Sequence, residues 1–240
     1  MRHKKSVATA SQLRMSFTLV EVLIVIGIMG ILMFIGLPAF EKLVKGTGVE
    51  LATRTVASKL GIARSYAITN RQYVAVLMPD KDSSPVLPVG VSGLGNFPYM
   101  GMKLCVVSST STTSGGITTY TFKRWIPSEN WSFLPTGTAI IHIDNTAGFV
   151  DGSSSDHEEV DSVNLHEIKP SATTYDTVND IKAIVFKPTG KPVGSGARYV
   201  TVGESTYNGT ALVHPGASNR MDVKVDQYTG KVTIITPGME

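Results

Sequence analysis

The chain has 240 residues, 42% of them hydrophobic, and a formal charge of +3. That length fits one domain plus a short appended segment, or two small domains, and the apolar content excludes a disordered chain. Residues 1–16 hold Arg2, Lys4, Lys5 and Arg14 and no acid, so removing them turns +3 into −1; the basic balance belongs to the N-terminus and is not a nucleic-acid footprint.

From Val22 to Phe40, 19 residues contain no Asp, Glu, Lys or Arg. As a helix rising about 1.5 Å per residue, this run reaches about 28 Å, close to the roughly 30 Å bilayer core. Basic residues precede it, which places the N-terminus in the cytoplasm and the bulk of the chain on the far side, the periplasm in a Gram-negative cell. A secretory signal peptide has a shorter apolar core and then a small-residue cleavage site, whereas this run continues as helix. A plain signal anchor accounts for the run but not for Glu21. A carboxylate at the edge of an apolar segment needs a partner or a place near the headgroups. Pro38 removes a backbone donor and disfavours helix in the preceding residue, which predicts a kink there. Gly46 and Gly48 predict loosened turns just after it.

The helical period then returns. Val49, Ala52, Val56, Leu60, Ala63 and Ala67 recur at three- and four-residue spacing, which predicts an amphipathic half-helix ending near Asn70 with one face on a core. From Tyr73 the period shifts toward two. The predicted strands are Tyr73–Met78, Lys103–Ser108, Thr118–Trp125, Ala139–Asp144, Ile181–Lys187, Tyr199–Gly203, Met221–Asp226 and Lys231–Thr236. Thr113–Gly116 reads as a hairpin turn, and so does Gln227–Gly230, with Gly230 placed for positive φ. Pro79–Gly101 and Asp151–Tyr175 read as loops or insertions. The lone cysteine, Cys105, forms no intrachain disulfide and reads as a small buried hydrophobe. The fold class expected is α+β: a long N-terminal helix packed on an antiparallel β-sheet domain.

Ser16-Phe17-Thr18-Leu19-Val20-Glu21, followed by Val22-Leu23-Ile24-Val25-Ile26, resembles the class III signal of type IV prepilins and type II secretion pseudopilins. The resemblance implies that prepilin peptidase, a membrane aspartyl enzyme, cuts between Ser16 and Phe17 and that the new amine of Phe17 is methylated. The family usually has Gly where this chain has Ser16. Glu21 then becomes the fifth mature residue and Pro38 the twenty-second, positions where the family carries Glu and often Pro. In such filaments the Glu21 carboxylate pairs with the Phe17 amine of a neighbour. An ion pair among apolar helices is worth more than in water, and an unpaired charge there is costly.

Two further passages are similar to the GspH/FimT group. One is Ala63-Arg64-Ser65-Tyr66-Ala67-Ile68, leading into Val74-Ala75-Val76. The other combines Phe186-Lys187-Pro188-Thr189-Gly190 with Gly230-Lys231-Val232. The organisation implied is a cleaved leader at 1–16, a transmembrane and assembly helix at 17–40, its amphipathic half at 41–70 and a periplasmic β-rich domain at 71–240. The implied role is a minor pseudopilin of a type II secretion pseudopilus, acting at filament initiation or the tip, with a type IV minor pilin serving pilus assembly or DNA uptake as the alternative. The implied partners are prepilin peptidase, other pseudopilins and the inner membrane.

No catalytic constellation is present. The histidines His3, His142, His157, His166 and His214 form no metal-protease pattern, and no nucleophile elbow or P-loop occurs. No enzyme activity, cofactor or metal is therefore expected. The acidic run Asp151–Asp161 has oxygens suited to Ca²⁺ but not EF-hand spacing, and reads as a solvated loop. Lys182, Lys187, Lys191, Arg198, Arg220, Lys224 and Lys231 are spread through the last third. Asp180, Glu204, Asp222, Asp226 and Glu240 offset them, which argues against a nucleic-acid partner.

Overall fold

A computed structural model of the chain describes residues 18–80, 98–111, 118–145, 157–164, 177–207, 212–213 and 219–236, with only the backbone described for 35–46, 111, 164, 177–178 and 206–207. The chain divides into two compact units, residues 1–43 and 44–240. Helix α1, Leu19–Asn70, contributes to both. Helix α1 continues without a break through Pro38, Gly46 and Gly48. Each glycine costs about 1 kcal/mol relative to alanine, less than a single fully buried valine or leucine of the following stripe contributes, roughly 1.5–3 kcal/mol. That stripe is as the period predicts: Val49, Ala52, Val56, Leu60, Ala63 and Ala67 are all buried. The helix ends at Asn70 because Arg71 turns left-handed (φ 52°) and the Gln72 amide donates back to the Ala67 carbonyl at 3.2 Å. This is a Schellman cap with arginine in the place glycine usually takes.

Among the described residues, fourteen strands follow in the second unit. They are β1 Tyr73–Leu77, β2 Gly101–Ser111, β3 Thr118–Trp125, β4 Ser132–Phe133, β5 Thr138–Asp144, β6 Glu158–Asp161 and β7 Val163–Asn164. The remainder are β8 Thr177–Val178, β9 Ile181–Phe186, β10 Arg198–Glu204, β11 Thr206–Tyr207, β12 Leu212–Val213, β13 Arg220–Val225 and β14 Val232–Ile235. All eight predicted strands form, with ends matched or moved by up to three residues.

The expectation of an antiparallel sheet needs two corrections. The first sheet runs β1-β9-β6-β3-β2-β4, and β1 also pairs with β2, so five of its strands close on themselves as a small barrel. Within it β3 and β6 are parallel, Tyr120 opposite Val160. The second correction concerns Asp151–Tyr175. Residues 146–156 and 165–176 lie outside the described residues, but Glu158–Asp161 is a strand between β3 and β9, not loop. Val160 of this strand and Val163 of β7 add apolar side chains to the barrel interior, and charged neighbours hide that contribution from a period count.

Strands β1, β2 and β9 are buried on both faces. Val74, Val76, Leu104, Val106, Ile184 and Phe186 join the helix stripe in one core. Ala75, Leu77, Cys105, Val107, Ala183 and Val185 alternate with them into the barrel interior. Burial pushes the Cys105 thiol far above its ordinary range, against the opposing pull of the Lys103 ammonium. The second sheet, β14-β13-β10-β5, is antiparallel and adds Val200, Val202, Val223 and Val225 to the helix core. A bulge opposite Thr201 and Val202 lets both Ile140 and Ile143 of β5 reach that core, although they lie an odd three positions apart.

The passages around Arg64, Gly190 and Gly230 meet in space. Arg64 donates from Nε and Nη2 to the Thr229 carbonyl at 3.1 and 2.9 Å. Gly230 has φ 66°, and a Cβ there would collide with the Gly190 carbonyl. Gly190 has φ 79°, and a Cβ there would come within 2.6 Å of Ile68. Two turns and one helix face are thus fitted together at positions only glycine fills. The Asp226 carboxylate builds the second turn. It accepts from the Thr229 hydroxyl and amide, both at 2.8 Å, and from the Tyr228 amide at 3.1 Å.

Two outcomes follow for stability. Gly230→Ala is expected to lose about 2–4 kcal/mol through overpacking and left-handed strain, a fall of roughly 5–15 °C in thermal midpoint; an unchanged midpoint would show that the turns separate without cost. The Thr229 hydroxyl and then its amide hold the Asp226 carboxyl below its usual range. A depressed carboxyl stabilises the fold above its unfolded value, near 3.9, and loses that contribution as pH falls through the folded value. The urea midpoint of wild type should therefore exceed that of Asp226→Asn by a constant gap above about pH 5, closing below about pH 4.

Candidate assembly site

The feature that stands out chemically is the start of α1. Leu19, Val20, Val22 to Ile26, Ile28, Met29 and Ile31 to Phe34 are exposed on every side of the helix, from 46% at Val22 and Val25 to 84% at Phe34. A helix apolar all round belongs in lipid or among other helices. Among the described residues no helix is long and apolar enough to cross a membrane. The described side chains of this run stop at Phe34, sixteen residues from Leu19. Sixteen residues make about 24 Å of helix, short of the roughly 30 Å hydrocarbon core. The rest of the expected segment, through Phe40, lies beyond the described side chains.

Glu21 is the acidic residue of the first helical turn. Its amide donates to Thr18 Oγ1 at 3.3 Å, and its Oε2 accepts from the Thr18 amide at 3.4 Å. This is a reciprocal capping box, with Thr18 at the N-cap and Glu21 three residues on. The sequence reading singled out Glu21 and passed over Thr18, although the Thr-x-x-Glu spacing signals the box. The carboxylate also lies where the helix dipole favours negative charge. Ser16 and Phe17, the expected cleavage and methylation residues, lie outside the described residues. Pro38 lies within the helix, and its side chain is outside the description.

The candidate ligand groups resolve differently. Glu158, in the acidic run, is bound by Arg198 Nη2 at 2.7 Å, both side chains nearly inaccessible at 9% and 3%. Removing one partner of such a buried pair costs about 3–5 kcal/mol, because it strands the other charge. Arg198 is therefore spent inside the fold. Lys182 pairs with buried Asp80 at 2.7 Å, and Lys224 lies 5.7 Å from the Tyr199 ring centroid. Three of the seven dispersed cations thus have intramolecular roles, which no sequence spacing reveals. Residues 151–156 lie outside the described residues. Among the described residues no group of three or more His, Cys, Asp or Glu is placed to hold a metal ion.

No protein-family model matches the chain, and no curated protein matches it. Among solved structures it is similar to the type IV minor pilin FimU of Pseudomonas aeruginosa, with 9% identity, a TM-score of 0.39, and coverage of 80% of this chain and 90% of that one. It is also similar to two structures of the minor pseudopilin EpsH of the Vibrio cholerae type II secretion system. These have 11% and 12% identity, TM-scores of 0.42 and 0.43, and coverage of 80% and 82% of this chain and 99% of each of theirs. At those scores the likenesses carry no argument about activity, and the reading below rests on the chain's own residues.

Thr18→Ala removes the cap and is expected to cost about 1 kcal/mol locally. Hydrogen exchange at the Glu21 amide should accelerate roughly fivefold; an unchanged rate would show that the capping box does not hold the first turn.

Proposed function

We propose that this chain is a structural subunit of a membrane-anchored filament of the pilin type, and within it a minor pseudopilin of a type II secretion pseudopilus. The observation that carries this is the first part of α1, apolar and exposed on all sides, with one carboxylate at its very start. A lone protein in water has no use for such a surface. Packed against equivalent helices or lipid, the same surface is buried, and Glu21 becomes the one charge that must find a cation. The amine of a neighbour's Phe17, created by prepilin peptidase cutting after Ser16, supplies it. The pair fixes axial register between subunits because leaving either charge alone in an apolar bundle is costly. Residues 17–40 form the anchor, with the β-rich domain on the periplasmic side. The alternative, a type IV minor pilin taking up DNA, calls for a basic surface. The engagement of Arg198, Lys182 and Lys224 within the fold favours the secretion reading.

N-terminal mass spectrometry of the mature full-length chain is expected to find N-methyl-Phe17, and a chain beginning at Met1 would overturn the processing step. Glu21→Ala is expected to stay in the membrane fraction while cross-linking to partner subunits falls at least roughly tenfold, the effect of losing about 1.4 kcal/mol or more. Normal co-assembly of that variant would remove Glu21 from the mechanism.

A further inference from the structure

The small barrel has one stoppered end and one open end. The pairing register puts Leu77 opposite Lys103 and Cys105 opposite Trp125 at the first end. There Lys103 is buried, with its ammonium 4.3 Å from the Trp125 ring centroid and 6.0 Å from that of Trp131. A desolvated ammonium is held strongly by the electron-rich faces of aromatic rings, so this plug is a stable floor. The same register puts Tyr73 opposite Val107, and Ser109 opposite Tyr120, toward the other end.

That second end opens into a cavity of about 600 Å³ whose lining includes Tyr73, Ser109, Thr118, Tyr120, Glu158 and Lys187. The volume lies within the roughly 300–1,000 Å³ of small-molecule sites. The walls are built. The Tyr73 and Tyr120 ring centroids are 6.4 Å apart. Glu158 is fixed by Arg198, and Gly194 (φ 90°) passes so close above the pair that a Cβ there would collide with the Arg198 guanidinium. Burial, then the Glu158 carboxylate, then Tyr73 push the Tyr120 phenol up to about 12, so it stays a hydrogen-bond donor at any physiological pH.

We propose that this barrel mouth binds a short acidic saccharide. The Tyr73 and Tyr120 rings offer apolar faces with hydroxyl tips, suited to the CH faces of a sugar ring. Ser109, Thr118 and Glu158 present the hydroxyl and carboxylate groups that exchange hydrogen bonds with sugar hydroxyls. Arg198 balances Glu158, so Lys187 leaves the lining net positive and attracts a carboxylate on the ligand. An extended peptide is the other candidate, but its usual mode is to add a strand to a free sheet edge. The five barrel strands pair in a closed ring and give the mouth no such edge. The inference is independent of the filament reading.

The test is calorimetric titration of the full-length chain in detergent with trigalacturonate, neutral galactotriose and tri-aspartate. Saturable binding of trigalacturonate is expected, at least tenfold tighter than of either comparator. Lys187→Ala should weaken the acidic sugar at least tenfold and leave the neutral one unchanged, and Tyr73→Ala should weaken both sugars. No saturable binding at millimolar trigalacturonate, binding untouched by both substitutions, or tri-aspartate binding as tightly as the sugar would each overturn the proposal; the last would point to a peptide from another protein.

Discussion

The middle stretches of β1, β2 and β9 are buried on both faces. Each of these strands sends one set of side chains toward the helix and the alternate set into the barrel. A strand apolar on both faces cannot sit at a surface, so it must be covered twice, once by a helix or sheet and once by strands curled around its other side. The helix stripe and the second sheet supply one cover, and closure of the barrel supplies the other. The Arg64 contact with Thr229 and the fitted glycines then hold the helix, the turn after β9 and the turn before β14 in a single arrangement.

Charge is handled in two opposite ways. Inside the second unit, Glu158 with Arg198 and Asp80 with Lys182 are neutralised within the chain. At the start of α1, Glu21 is held, among the described residues, by its own first turn, among exposed apolar side chains. An intramolecular cap satisfies backbone donors but leaves the carboxylate its charge, so it does not remove the demand for a cation once the helix is surrounded by apolar groups. That difference is why the assembly reading is built on the helix start and not on the dispersed lysines and arginines.

The regular part of the fold was legible because it is local. The three- and four-residue spacing from Val49 to Ala67 marked the buried face of the helix, and alternation marked eight strands. Gly230 marked a left-handed turn. The short strand β6 escaped because Glu158, Glu159 and Asp161 outnumber Val160, and an acidic run reads as loop until a distant cation is brought beside it. Thr18 differs: its three-residue spacing from Glu21 is a local cap signal, legible in the sequence without any distant contact.

By itself, the sequence determined the apolar start of α1, the position of its single acid, the stripe that docks its second part, and the turns that bound the strands. Each depends on residues within a few positions of one another. Tertiary structure alone decided that β1 closes on β2, that β6 enters parallel to β3, that Arg198 is spent on Glu158, and that the Arg64, Gly190 and Gly230 passages are one contact. Those features join residues from roughly thirty to more than a hundred and sixty positions apart. Loop closure between such residues costs entropy that only the completed core offsets, so no local pattern in the chain announces them.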